Sequence, residues 1–167
     1  MKGEQRLRVE FDASKPTIAH IFQVAYDKHI GKLGIFRVHQ GVVRGKSELF
    51  IDDQRKPLRV GHVMLLQGKD HQETDSIGPG QIGAIAKIDE LHFDGVLHDD
   101  VTTDDPPMLV PMDLPKPMYG LAIELKNHAD ESKFSTAIRR LQSEDPCLLL
   151  ERVAATKQTV LRGLGEL

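Results

Sequence analysis

Short apolar runs broken by Gly, Asp and Pro fill the chain up to about residue 104, and this rhythm limits its fold more than any other feature. A first run alternates Leu7, Val9 and Phe11. Further runs lie at 17–26, 34–39, 48–51, 60–67 and 83–88. Alternation with period two is typical of half-buried strands, and their regular spacing is typical of a barrel or a sandwich. The sequence therefore predicts an all-β domain over residues 1–104.

A proline-rich stretch follows these runs. Residues 99–117 read DDVTTDDPPMLVPMDLPKP and contain five prolines, which remove backbone donors and exclude a regular helix or a central strand. We predict an interdomain linker over 105–117 and a second domain over 118–167.

The pattern after the linker predicts the order β-α-β-β. Its strands would lie at 119–125, 147–153 and 158–162 and its helix at 129–143, with an apolar stripe of Phe134, Ala137, Ile138 and Leu141. A ferredoxin-like domain needs another helix and strand. Because the chain stops at 163–167, we expect a truncated chain or a half-domain that a partner completes.

Charges favour both ends of this helix. Asp130 and Glu131 fall in the predicted first turn, and Arg139 and Arg140 fall in the predicted last turn, where each pair complements the helix dipole. The Asp-Pro pair at 145–146 ends the helix.

Composition excludes several classes of protein. No apolar stretch approaches the roughly 20 residues that span a bilayer, and the N-terminus lacks the apolar segment of a signal peptide, so we expect a cytoplasmic protein without a membrane partner. Cys147 is the sole cysteine and lies in an apolar run, where a structural thiol is expected rather than a nucleophile. The net charge of -3 argues against a DNA-coating protein, so any RNA contact must be local.

Two glycine-rich motifs imitate nucleotide sites. Residues 41–47, GVVRGKS, have one residue too few between the glycines for a phosphate loop and lie between predicted strands. Residues 78–83, GPGQIG, satisfy G-x-G-x-x-G but open a strand instead of a helix. We therefore interpret both as turns.

Histidines and aspartates crowd one loop. His92, Asp94, His98, Asp99 and Asp100 are chemically capable metal ligands, although no pair has a recognised ligand spacing. Solvated surface groups are the simpler interpretation, and a small metal-dependent enzyme that uses the region of His92 and Asp100 stays open as an alternative.

Basic residues gather in the predicted barrel, many of them in turns. An ordinary solvated surface explains them equally well, because acidic residues are as plentiful and aromatic residues are few. The candidates for contacts with an RNA backbone are Lys32, Arg37, Arg44, Lys46, Arg55, Lys56 and Arg59.

Residues 29–41, HIGKLGIFRVHQG, resemble the central strand-turn element of domain II in elongation factor G. The segments 59–61, 65–69 and 79–85 continue the family order, except that Gln81 stands where the family usually has aspartate. Residues 91–97 keep only part of the family's Thr-Gly-Asp-Thr-Leu turn.

Later segments resemble domain III of the same family. They are DESKF at 130–134, Leu141, EDP at 144–146 and GLGEL at 163–167, the last being similar to the start of the family's Gly-Met-Gly-Glu-Leu-His-Leu motif. The LQGK and LH features are closer to elongation factor G-like paralogues than to the main translocase.

The resemblance implies a mainly β chain, in which a translation-factor β-barrel precedes a partial ferredoxin-like domain. It implies a ribosome-binding role in translocation or ribosome recycling, with the barrel against small-subunit rRNA and domain III coupled to a small-subunit protein. GTP and magnesium would bind in a separate N-terminal GTPase domain acting in cis. We therefore expect this chain by itself to be no enzyme, with no catalytic, cofactor or metal residues.

Two alternatives keep other identities open. A ribosomal-protection or release-type GTPase shares the same two domains. A natural short protein could instead use the open edge of the half-domain to bind a partner strand.

Overall fold

The computed structural model describes residues 8–68, 70–99, 107 and 109–166, apart from the side chain of His128. The chain forms two compact units, the first ending at Pro111 and the second beginning at Met112. Within the predicted linker, the described residues form neither helix nor strand. The predicted domain limits at 104 and 118 stay predictions. No helix in the described part is long and apolar enough to cross a membrane.

Ten strands make up the described part of the first unit. They are β1 (Ile18–Asp27), β2 (Gly31–Gln40), β3 (Val43–Arg44), β4 (Glu48–Ile51), β5 (Leu58–Arg59), β6 (Val63–Gln67), β7 (Asp70–Thr74), β8 (Ser76–Ile77), β9 (Ile82–Ala86) and β10 (Val96–His98).

Eight of these strands form one curled antiparallel sheet, in the order β5-β4-β10-β1-β2-β9-β6-β7, and β3 pairs separately with β8. The prediction of a β-barrel-type domain is confirmed. The apolar runs did not single out β3, β5, β7, β8 and β10, which are short or polar. Strand β7, with the sequence DHQET, lies at a sheet edge, where charged side chains discourage pairing with another chain.

The core lies on the concave side of the curled sheet. Ile21, Phe36, Val38, Ile51 and Ile85 are among its fully buried side chains, and they come from strands throughout the sheet. Because one face of each long strand supplies these residues, their register is fixed: a slip by one residue would turn the apolar set to solvent.

The start and the end of the barrel are tied together by polar contacts. Both the backbone N–H and the hydroxyl of Thr17 donate to the Asp99 carboxylate, each at 2.7 Å. Gly41 allows the chain to cross here, because it has φ +70 and a Cβ at its position would lie 2.5 Å from the Cα of Thr17. Only glycine fits this approach without backbone movement.

The prediction of a first strand around Val9 and Phe11 is wrong for the described residues, and Leu7 lies outside them. Residues 8–17 contain no strand, and Phe11 is 74% exposed. The Asp12 carboxylate instead accepts hydrogen bonds from the backbone N–H and hydroxyl of Ser14. Such local bonds favour a turn over a sheet ladder.

The second unit has the predicted order β-α-β-β. Its elements are β11 (Tyr119–Ile123), a 3-10 turn (His128–Asp130), α1 (Glu131–Glu144), β12 (Leu149–Val153) and β13 (Gln158–Gly163). Strand β13 lies between β11 and β12 and is antiparallel to both, so β11 and β12 are parallel to each other. This split βαβ arrangement is the first part of a ferredoxin-like fold, as predicted.

One detail predicted for the helix is wrong. Helix α1 continues to Glu144, so Arg139 and Arg140 precede the last turn, which contains no basic residue. Of the predicted apolar stripe only Ile138 is buried, while Leu141 is 46% exposed. Asp145 ends the helix in an extended conformation, as predicted.

Two phenylalanines of opposite exposure give a test of the core. We expect Phe36→Ala to destabilise the barrel by about 3–5 kcal/mol, because it opens a cavity among fully buried side chains. Phe11→Ala, at a 74% exposed position, should change the free energy of unfolding by less than about 0.5 kcal/mol. Urea unfolding of both variants measures the difference, and equal effects would contradict the assigned core.

Candidate nucleic-acid interface

The seven predicted RNA-contact residues lie on several parts of the barrel. Lys32 and Arg37 are on β2, Arg44 is on β3 and Arg59 is on β5; Lys46 is in the turn before β4, and Arg55 and Lys56 are in the loop between β4 and β5. Lys32 and Arg37 are five residues apart on an extended strand, which separates them by about 17 Å. Lys32 and Arg37 therefore do not lie side by side in one patch.

Lys32 is engaged inside its own unit. Its Nζ donates to the backbone carbonyl of Asp89 at 2.7 Å. Partial burial lowers the pKa of Lys32, although the carboxylates of Asp89 and Glu90 act in the opposite direction. A lysine held in this way contributes to packing at the start of β2 and offers little to a phosphate.

Arg59 has a carboxylate beside it. Its Nε lies 3.5 Å from Glu48, and the two side chains are 90% and 57% exposed. Exposed pairs of this kind contribute little to stability. The pairing nevertheless reduces the net positive charge that Arg59 presents.

Backbone pairing places Arg44 and Lys46 beside different segments of the barrel. Arg44 lies opposite Ser76 on β8, and the backbone N–H of Lys46 donates to the carbonyl of Gly61, two residues after Arg59. The side chains of Arg44 and Lys46 are exposed and make no hydrogen bond or ion pair within the described residues. This part of the surface offers two free cations to an anion.

An open cleft of about 650 Å³ adjoins Arg44. Ser14, Lys15, Thr17 and Asp99 are among its lining residues. Lys15 is paired with Glu10 at 2.6 Å, and the Asp99 carboxylate faces Thr17. The charges of the cleft therefore largely balance, and Arg44 supplies its free positive group.

Arg37 lies on the outer face of the sheet, in a row that also contains His20 on β1 and Ile82 on β9. It is exposed, and its side chain has no partner in the described part of the chain. Arg55 and Lys56 are likewise exposed and unpaired there. Judged against the described residues, five of the seven candidates thus retain free cationic groups.

A histidine pair beside Arg37 was not predicted from the sequence. The rings of His20 and His39 are stacked with centroids 6.3 Å apart, and His20 Nε2 lies 3.0 Å from an Asp94 oxygen. Burial lowers the pKa of His39, and the nearby His20 and Arg37 lower it further. No sequence signal links these residues, because Asp94 is 74 positions from His20.

The residues of the His92 to Asp100 region that were considered as possible metal ligands do not converge. His92 contacts the carboxylate of Asp52, His98 contacts the backbone carbonyl of Asp52, and Asp99 binds Thr17. Among the described residues no group of three His, Cys, Asp or Glu side chains is arranged to hold a metal ion, and Asp100 lies outside them.

The two glycine motifs lie where turns were predicted. Residues 41–47 contain β3 and a turn that leads into strand β4, and residues 78–83 contain a turn that leads into strand β9. Neither motif precedes a helix whose N-terminus could receive a phosphate.

The lowered pKa of His39 predicts a pH dependence of stability. Folding disfavours the protonated ring of His39. The contribution of the neutral ring to folding stability is therefore fully present above about pH 6.5 and is lost as the pH falls through the folded-state pKa. We expect His39→Gln to lose less stability than the wild type between about pH 7.5 and pH 5. His29→Gln, at an exposed turn position, is the control. A histidine NMR titration that places the pKa of His39 above the ordinary value would contradict this prediction.

Comparisons with known proteins match both units. Residues 16–99 match the family model for elongation factor G domain 2, and residues 114–167 match the model for elongation factor G, domain III. A crystal structure of a protein from Thermus thermophilus is similar to this chain with a TM-score of 0.77 and 28% identity, and the match covers 91% of this chain and 23% of that one. This chain thus spans about a quarter of the length of the solved protein. Because the two models match the barrel and the second unit in order, the chain belongs to the elongation factor G family.

Proposed function

We propose that this chain is a ribosome-contacting part of a translational GTPase, acting in translocation or ribosome recycling in the cytoplasm. The match of the barrel to elongation factor G domain 2 is the observation that carries the proposal. The domain III match that follows it in the same chain gives independent support.

In this proposal the barrel contacts small-subunit rRNA through its free cations. Arg37, Arg44, Lys46, Arg55 and Lys56 are the contact residues, because each is exposed without a side-chain partner among the described residues. Contacts from Lys and Arg to phosphates fix the position of a protein on RNA without reading its sequence. This role suits a chain whose net charge is -3, because only a local set of cations is needed.

The second unit has a different role in the proposal. It contacts a small-subunit protein and transmits the state of the GTPase domain. Its sheet and helix present exposed apolar side chains, including Leu121, Leu141 and Leu149, which suit contacts with protein more than with phosphate.

The division of roles predicts that this chain by itself neither binds nor hydrolyses GTP. GTP binding and magnesium would belong to a GTPase domain acting in cis. Isothermal titration with GTP and magnesium should give no binding heat, and phosphate release should equal that of buffer. Saturable binding that Lys46→Ala removes would instead identify residues 41–47 as a nucleotide site.

Ribosome binding is tested by co-sedimentation with small ribosomal subunits across a salt series. We expect binding to weaken with salt, and Arg44→Ala/Lys46→Ala to reduce the slope of log K against log salt by about 2. Lys116→Ala/Lys126→Ala is the matched control, since it removes two exposed charges from the linker and second unit. Equal slopes for the wild type and the Arg44/Lys46 variant would remove these two residues from the contact, and no binding at low salt would overturn the proposal.

A further inference from the structure

Asp52 joins several segments at the edge of the barrel. Its backbone N–H donates to the carbonyl of Val96, and its Oδ1 accepts from the backbone N–H of Val96, both at 2.9 Å. Its Oδ2 lies 2.8 Å from His92 Nε2, and its carbonyl lies 2.8 Å from His98 Nε2. Every polar group of Asp52 is thus bonded to a segment more than 35 residues away in sequence.

These contacts fix the base of the loop between β4 and β5. Asp52 directly follows β4 and has φ 49, a left-handed conformation that Asp and Asn tolerate better than most residues. The N–H of Gln54 then donates to the carbonyl of Ile51 at 3.0 Å, and the buried Leu58 returns the chain to the sheet opposite Leu49. The loop is short, anchored at both ends and turned outward.

The loop residues 53–57 are all exposed. Their sequence, DQRKP, has two cations and one carboxylate, and it has no aromatic or large aliphatic side chain that could anchor a protein interface. Arg55 and Lys56 have no partner in the described part of the chain. A polar, net positive loop of this kind suits the backbone of a nucleic acid.

We propose that Asp52, with His92 and His98, is a positioning group that holds Arg55 and Lys56 ready to contact two phosphates of the RNA backbone. We call this set of contacts the Asp52 latch. The inference rests on the proposed function and adds the element that orders one of its contact sites. A loop ordered before binding avoids the entropy cost of immobilising two long side chains at the moment of contact.

The test is a double-mutant cycle on co-sedimentation of the full chain with small ribosomal subunits and with protein-free small-subunit rRNA. Arg55→Ala/Lys56→Ala should reduce the salt slope by about 2. Asp52→Ala should weaken binding by about tenfold while the loop keeps its cations. Asp52→Asn, which keeps the bond to Val96 and the left-handed backbone, should restore binding towards that of the wild type.

Non-additivity separates positioning from general destabilisation. When Arg55 and Lys56 are already alanine, Asp52→Ala should cause no further loss of binding. An equal loss in both backgrounds would overturn the latch, because Asp52 would then act on the fold and not on the loop. If urea unfolding shows that Asp52→Ala does not fold, His92→Ala is taken through the same cycle. This variant removes the Oδ2 contact of Asp52 and the contact of His92 Nδ1 with the carbonyl of Glu90, and it leaves the bonds of Asp52 to Val96 and His98 in place.

The remaining outcomes distinguish this inference from the proposed function. If Arg55→Ala/Lys56→Ala does not change binding, the Asp52 latch is overturned. The proposed contacts of Arg44 and Lys46 are not affected by that result. If binding to whole subunits depends on Arg55 and Lys56 but the chain does not bind protein-free rRNA, the RNA contact is overturned. The loop would then contact a ribosomal protein. No binding by the wild type would overturn both proposals.

Discussion

The pairing of β1 with β2 is the interaction on which the barrel depends. These are the two longest strands, and they pair along almost their whole length from Ile18 to Asp27. Strand β10 attaches to the free edge of β1, and β9 attaches to the free edge of β2. The buried side chains Ile21 and Phe36 lie opposite each other in this ladder, so pairing and core formation fix the same register.

Side chains of aspartate residues add polar contacts between segments that the β1–β2 ladder does not join directly. Asp99 ties the entry of β1 to the end of the barrel through Thr17, Asp94 contacts His20, and Asp52 joins the β4 end to β10. Each carboxylate satisfies polar groups that strand pairing leaves unbonded. These aspartates are used inside the barrel, while free cations of the described residues remain on its exposed strand positions, turns and loops. That distribution explains how a chain of net negative charge can present local positive surface.

The second unit has a smaller apolar core than the first within the described residues. Its three strands have the order expected of a split βαβ unit, and β11 keeps an unpaired edge within the described residues. None of the side chains of β11 is buried, in contrast to β1 and β2. A small sheet with one helix buries little apolar surface, and within the described residues Ile138 and Cys147 are the buried apolar side chains of this unit.

The sequence by itself determined the two-part organisation, the mainly β character of the first part, the β-α-β-β order of the second, and the family. The first three features follow from local alternation, helical spacing and proline, which act within a few residues of one another, whereas the family came from the resemblance of motifs such as residues 29–41 to elongation factor G. The failed strand around Phe11 shows the limit, because local pattern does not reveal whether a partner surface is present. Only the tertiary structure decided that Lys32 is engaged by Asp89 and that His92 and His98 meet at Asp52. These contacts join residues more than 35 positions apart, and the packed core, not any local signal, brings them within hydrogen-bonding distance.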